Sequence, residues 1–345
     1  MKPIDLRSDT VTHPTDAMRE AMATAEVDDD VFDEDPTVHR LERLASEKLG
    51  KEAALLVPSG TMGNLVSLLT HCQRGDGVLL GDRSHIFQHE VGGLSALGGL
   101  FPHILGNADD GTLPLASLEA AIQPPDIHCP PTRLICLENT HNFCHGAPLP
   151  VQYMAAVGAL ARRRDLKLHL DGARLFNAAA ALAVTPASLA EEADSVMVCL
   201  SKGLSAPVGS VVCGSRAFIR RARKWRKMLG GGMRQAGHIA AAGIVALEQQ
   251  VERLREDHEN TLHLALGLQE APGIELDLAR VKTNILFFQL SHPSLSAEAF
   301  LSSLEKDNVK ILLTGPVTFR AVVHREISRK DIDTVVQTAR KLLTA

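Results

Sequence analysis

Between about residues 50 and 215 the sequence alternates short, unbroken apolar runs with stretches of helical periodicity. That alternation restricts the fold most, because unbroken apolar strands must be covered on both faces. Strands separated by helices connect as βα units, so an α/β fold with a mainly parallel sheet is expected. The candidate strands are 77–80, 133–137, 166–170, 195–200 and 210–213. Asp35-Pro36 reads as a helix N-cap followed by proline at the first helical position, with Val38, Leu41, Leu44 and Ala45 on one face. Helices are also expected over 60–71 and 151–163, and a long one over about 235–256, with Ile244, Leu247, Val251 and Leu254 on a shared stripe.

After about residue 255 the pattern changes. A helix leads to Pro272-Gly273, followed by a strand at 283–290, a helix at 297–306, strands at 309–312 and 317–323, and a last helix from Ser328. This predicts a smaller C-terminal α+β domain. The expected division is an N-terminal segment, 1–15, that contributes to the active site, a large domain, 16–254, and a small domain, 255–345. A chain of 345 residues buries enough surface to fold without disulfides. Its net charge of −5 argues against a dedicated nucleic-acid binder. Six cysteines are scattered, with no CxxC pair, which fits a reducing interior rather than a disulfide framework. The N-terminus has no apolar signal-peptide core, and the uncharged stretch 91–108 is broken by glycines and Pro102, so no membrane span is expected. A cytoplasmic protein is the expectation.

Ligands of open α/β sheets sit at the carboxyl ends of the strands. Three candidate segments bring polar groups there. Asp171 directly follows an apolar strand; it reads as a helix N-cap or as a carboxylate that holds a pyridinium proton. Lys202 lies just past another strand, where a lysine is either solvated or poised to attack a carbonyl. Asp171 and Lys202 stand about one βα repeat apart, which suits neighbouring strand ends. Ser59-Gly60-Thr61 opens a helix whose free N–H groups favour an anion. Together, an anion site, an acid for a ring nitrogen and an amine for an aldehyde suggest pyridoxal 5′-phosphate.

These residues fall in longer stretches that resemble a known family: DLRSDTVTHPT (5–15), DEDPTVHRLE (33–42), VPSGTMGN (57–64), DRSHIFQHE (82–90), LENTHN (137–142), HLDGARLFNA (169–178), SKGL (201–204) and LGGGMRQAG (229–237). The chain resembles the L-threonine aldolases of the low-specificity, L-allo-threonine type, in the β-eliminating lyase group. The resemblance implies the aspartate-aminotransferase-like fold (fold type I) of pyridoxal-phosphate enzymes. It further implies cleavage of β-hydroxy-α-amino acids, L-allo-threonine and L-threonine, to glycine and an aldehyde such as acetaldehyde. Lys202 matches the lysine of the internal aldimine and Asp171 the partner of the pyridine nitrogen. Arg174 lies near the ring's phenolic oxygen and the substrate. Ser59, Gly60 and Thr61 match the phosphate-binding turn, and His85 the histidine stacked on the ring. Ser8 and Arg320 match the groups that hold the substrate carboxylate. Lys227 and Arg234 match basic residues that reach a neighbouring subunit's cofactor, which implies a homotetramer, a dimer of dimers with shared sites. His128 falls in a looser loop match to a second active-site histidine. His85 and His128 are therefore the candidate bases for the β-hydroxyl proton, with an ordered water as the rival.

The chain departs from the family where a Tyr-Gly pair is common and Phe32-Asp33 stands here, and where an aromatic is replaced by His89. His85, His89 and Glu90 superficially suggest a metal face, as do His141, Cys144 and His145, but neither has zinc-site spacing, and no metal site is expected. The basic run 216–227 reads as a solvated helix face; nucleic-acid binding by an inactive scaffold is the reading from another class. Within the cofactor class the alternative is another β-eliminating lyase, or a serine-type aldol-cleaving enzyme, separable by products: glycine and aldehyde against keto acid and ammonia.

Overall fold

The computed structural model describes residues 3–344. A two-residue strand, β1 (Ile4–Asp5), comes first. The large sheet then collects β2 (Ala53–Val57), β3 (Gly77–Gly81), β4 (Phe101–Leu105), β5 (Thr132–Glu138), β6 (Lys167–Asp171), β7 (Ser195–Cys199) and β8 (Ser210–Gly214). Its order is β2-β8-β7-β6-β5-β3-β4. Strands β4, β3, β5, β6 and β7 run parallel, and β8 is antiparallel to both of its neighbours. The C-terminal part adds β9 (Ile274–Glu275), β10 (Ile285–Leu290), β11 (Val309–Lys310), β12 (Leu312–Leu313) and β13 (Thr318–Val322). An antiparallel sheet forms in the order β12-β13-β10-β9. The remaining strand, β11, pairs in parallel with β1, which docks the N-terminal segment on this smaller unit.

Burial explains why some strands are plain in the sequence and others are not. Strands β3, β7 and β8 are buried along their whole length and read as continuous apolar runs. In the large sheet two strands, β2 and β4, lie outside the expected set. Strand β4 is the sheet edge, half-buried, and tolerates Pro102, since an edge residue can forgo a ladder N–H.

The helices follow local chemistry. Asp35 caps Pro36–Leu49, its carboxylate accepting from the N–H of Thr37 (3.1 Å) and Val38 (3.0 Å). That helix stops at Gly50, whose φ of 62° suits a residue without Cβ. Helices Gly60–His71, Val151–Arg163 and Ala297–Lys306 have the expected bounds. The single helix expected over 235–256 is corrected. Gly237–Val245 runs into a π-helical turn, Ala246–Gln250, and a separate helix spans Leu254–Gln269. The wider π turn shifts the phase of the stripe, yet Ile244, Leu247 and Leu254 all remain buried.

Each unit has its own core. In the large unit Leu79, Ile135, Leu168, Leu170, Val196 and Val198 pack under the helices. In the small unit Phe319 stacks on Phe288 (5.2 Å between ring centroids) and meets Phe300 edge-on (5.6 Å).

The helix that begins at Gly60 lies so close to β7 that a Cβ on Gly63 would stand 2.6 Å from Met197 Cγ. Gly63→Val is therefore expected to cost about 1–3 kcal/mol by overpacking. Urea unfolding measures this; an unchanged midpoint would show that the helix is not pressed against the strand.

Candidate active site

Parallel strands bring their carboxyl ends to one edge. Glu138, the last residue of β5, lies beside Asp171, the last residue of β6. Asp171 in turn lies beside Met197 of β7, whose chain continues through Ser201 to Lys202. A cavity of about 190 Å³ opens there, lined by Ser59, Gly60, Thr61, Asn64, His85, Glu90, Asp171 and Lys202, among others. A larger cleft of about 730 Å³ adjoins it, between His89 and Phe143 of the large unit and Phe287 and Thr318 of the small one.

One side of the cavity is acidic. Asp171 is buried, and its carboxylate accepts from Asn64 Nδ2 (2.8 Å) and the Ala173 N–H (3.0 Å). The second hydrogen of the Asn64 amide goes to Glu90 Oε1 (2.8 Å). Glu90 also meets His85 Nδ1 (3.0 Å), and the His85 N–H donates to Glu138 Oε2 (2.7 Å). Burial pushes the His85 imidazole down, but the Glu90 hydrogen bond and the Asp171 and Glu90 charges outweigh it, so His85 lies above the ordinary histidine value. Burial, helped by the Asp171 charge, raises the Glu90 carboxyl.

The other side is cationic. Arg174 is buried and holds Asp9 with two bonds, Nε to Oδ2 (2.8 Å) and Nη2 to Oδ1 (2.6 Å). Burial would raise the Asp9 carboxyl, but the Arg174 charge and bonds, with Lys202 and Asn284, hold it far below the carboxylate range. Asn142 Oδ1 accepts from Arg174 Nη1 (3.4 Å) and from Arg320 Nη1 (3.1 Å). Arg320 Nη2 donates to the Arg7 carbonyl (3.1 Å). Its buried Nε has no partner among the described residues. Burial and the like charge of Arg174 lower Arg320 to about 10, so it stays cationic at neutral pH.

The helix start supplies the third element. Ser59 caps Gly60–His71, its Oγ accepting from the Met62 N–H (3.2 Å), which leaves other first-turn N–H groups to meet an anion. Gly60 is needed for space, since a Cβ there would come within 2.9 Å of Cys199 Sγ.

The expected residues do not all gather in one chain. Ser59, Gly60, Thr61, His85, Asp171 and Lys202 share the cavity. Arg174, Arg320 and Ser8 form the adjoining polar group, where Ser8 caps the short turn Asp9–Val11. Within its own chain His128 is exposed, on the loop before β5, at the end of the sheet opposite the cavity. Loop residues of a βα fold reach the carboxyl edge only when they follow a strand, and His128 precedes one. Lys227 and Arg234 are exposed and outside the cavity, with Arg234 paired to Asp29 (3.4 Å). Phe32 is 72% exposed, and Asp33 takes a φ of 63°, a left-handed conformation that glycine adopts more readily. His85 and Glu90 do meet, but with Asp171 rather than His89, their ligand atoms lying within 4.8 Å of one another.

Four residues outside the expected set complete the site: Asp9, Asn64, Glu90 and Asn142. All four lie inside quoted motifs, so the signal was present. Their partners, up to 275 positions away, were not.

The donor set suits pyridoxal 5′-phosphate. An amine, a buried carboxylate and a helix start line one cavity of matching scale, and an orphaned Arg320 donor awaits an anion.

Comparison with known proteins agrees. The family model described as beta-eliminating lyase matches residues 5–291. Low-specificity L-threonine aldolase 1 of Arabidopsis thaliana is 51% identical, over 96% of this chain and 94% of its own. The low specificity L-threonine aldolase of Escherichia coli K12 is 46% identical, over 95% and 96%. The solved threonine aldolase of Leishmania major superposes with a TM-score of 0.84 at 21% identity, over 99% and 100%, a likeness of fold.

Removing Asp9 would strand the buried Arg174 charge. Asp9→Ala is expected to cost roughly 3–5 kcal/mol. Since Asp9 is held below its ordinary value, its contribution is complete above the carboxylate range and is lost as pH falls toward its folded-state value. Thermal unfolding of wild type and variant across pH checks both. Equal midpoints at neutral pH would contradict the pair's role.

Proposed function

The chain belongs to the beta-eliminating lyase family, and from that premise we propose how it acts as a pyridoxal-phosphate-dependent carbon–carbon lyase. It cleaves β-hydroxy-α-amino acids, L-allo-threonine and L-threonine, to glycine and an aldehyde. The observation that carries this reading is the shared cavity of Lys202, Asp171 and the Gly60 helix start.

Lys202 would hold the cofactor's aldehyde carbon, Asp171 its ring nitrogen, and Ser59, Gly60 and Thr61 its phosphate. Bound there, pyridoxal phosphate supplies an electron sink for the charge left on the substrate's α-carbon. Arg320, with its unpartnered Nε, and Ser8 bind the α-carboxylate, and Arg174 fixes that group's surroundings through Asp9 and Asn142. A fixed carboxylate sets which α-carbon bond stands perpendicular to the ring. His85 takes the β-hydroxyl proton at Nε2, because Nδ1 is engaged by Glu90.

The finer assignments are proposals of the same kind. Lys227 and Arg234, exposed and remote from their own cavity, reach a neighbouring subunit's cofactor in a homotetramer. His128 can meet substrate only across such a boundary. Exposed Phe32, Met228 and Ile127 support an assembly that covers them. The chain division at 15 and 254 and a role in glycine formation and threonine breakdown in the cytoplasm belong to this reading. Among the described residues no helix is long and apolar enough to cross a membrane.

Three outcomes follow. Purified protein given L-allo-threonine should release glycine and acetaldehyde, and Lys202→Ala should abolish multiple turnover; keto acid and ammonia instead would select the β-elimination alternative. Because His85 is raised and must be neutral to accept a proton, activity should rise with pH through a value above the ordinary histidine range. Glu90→Gln removes the hydrogen-bonded charge and leaves only Asp171 to raise it, so the limb should move to lower pH; an unmoved limb would exclude His85 as the base. Sedimentation should show an oligomer, and an active monomer would reject shared sites.

A further inference from the structure

Behind the cavity a second set of polar groups runs through the sheet. Asn64, whose amide nitrogen holds Asp171 and Glu90, presents its oxygen to His169 Nε2 (3.1 Å). His169 Nδ1 meets Ser195 Oγ (2.8 Å), and Ser195 Oγ meets His71 Nε2 (2.8 Å). Asn64, His169 and Ser195 are buried. His71, half-buried and stacked on Phe218 (4.6 Å), opens on a groove of about 340 Å³ lined also by Lys51, Lys167 and Arg221.

Only one set of hydrogen positions satisfies this chain. Two carboxylates can only accept, so the Asn64 nitrogen must face them and its oxygen must face His169. His169 Nε2 must then carry a hydrogen. Burial lowers His169 to about 4, so the ring is neutral and Nδ1 is bare. Ser195 must give its single hydroxyl hydrogen to Nδ1, which leaves its oxygen to accept from His71 Nε2–H. Burial, with the neighbouring His169, lowers His71 to about 3, so it too is neutral. Every donor therefore points toward Asp171, and aligned hydrogen bonds polarise one another in the same sense.

We propose that His71, Ser195, His169 and Asn64 form a one-directional positioning relay that holds Asp171 as a pure acceptor for the cofactor's ring nitrogen. None of the first three touches the cavity; they act through Asn64. Without the relay the Asn64 amide is held by the two carboxylates alone and its oxygen loses its donor, so a turn that sets the oxygen against Asp171 costs less, and Asp171 would then take up a proton itself. The inference rests on the cofactor reading of the cavity, but the hydrogen positions do not.

Neutron diffraction from the deuterium-exchanged holoenzyme reads those positions directly. The expected result is deuterium on Nε2 alone of both His71 and His169, with the Ser195 hydroxyl aimed at His169. Deuterium on His169 Nδ1 would overturn the relay, whatever the cavity binds. The functional arm uses Ser195→Ala. Its expected effects are a shifted visible absorbance band of the bound cofactor and a kcat lowered roughly three- to tenfold, the scale of one hydrogen bond, with the amino-acid KM unchanged. Ser195→Thr, which restores a hydroxyl, should recover both. Should the buried variants fold poorly, His71→Phe at the groove is expected to move the band in the same direction by less. Folded Ser195→Ala or His71→Phe protein with a wild-type band and kcat would overturn the proposal. A colourless protein in every form would instead sink the cofactor reading.

Discussion

A guanidinium without water must find its whole counter-charge among protein groups, and Arg174 finds it in Asp9. Buried ion pairs persist only when their remaining hydrogen-bonding atoms are also satisfied. Here Asn142 takes the third guanidinium nitrogen, and Asn284 Nδ2 donates to the carboxylate (3.3 Å). The consequence is positional. Residue 9 belongs to the N-terminal segment, Arg174 follows β6, Asn142 follows β5 and Asn284 precedes β10. One polar knot thus fixes three parts of the chain around the edge where Lys202 emerges.

Charge is sorted across that edge. Asp171 and Glu90 hold the side toward the Gly60 helix, while Arg174 and Arg320 hold the side toward the small unit. Burial, with the Arg174 charge beside it, lowers Arg320, whereas Asp9 raises Arg174. A substrate carboxylate would relieve that repulsion and take the orphaned Nε. In the proposed reading, the same arrangement would keep the anionic substrate group away from the carboxylate that would serve the ring nitrogen.

Much of the fold was legible because local rules decide it. Asp35-Pro36, the helix 60–71 and the buried strands near 77, 133, 166, 195 and 210 follow from capping and burial alone. The edge strand β4 was hidden because half-exposure leaves no unbroken apolar run. The helix over 235–256 misled because a π turn preserves apolar composition while breaking geometry. In the site, Lys202 and Asp171 stood out by following apolar strands. Asp9, Asn64 and Asn142 did not, since a polar residue in a motif looks like any cap until its distant partner is known.

The central claim is that the amine at the end of β7 carries the cofactor opposite Asp171. Borohydride reduction of the coloured protein, followed by digestion and mass spectrometry, tests it most directly. The account predicts a pyridoxyl label on the peptide that contains Lys202 and on no other lysine. A label elsewhere, or none at all, would contradict it.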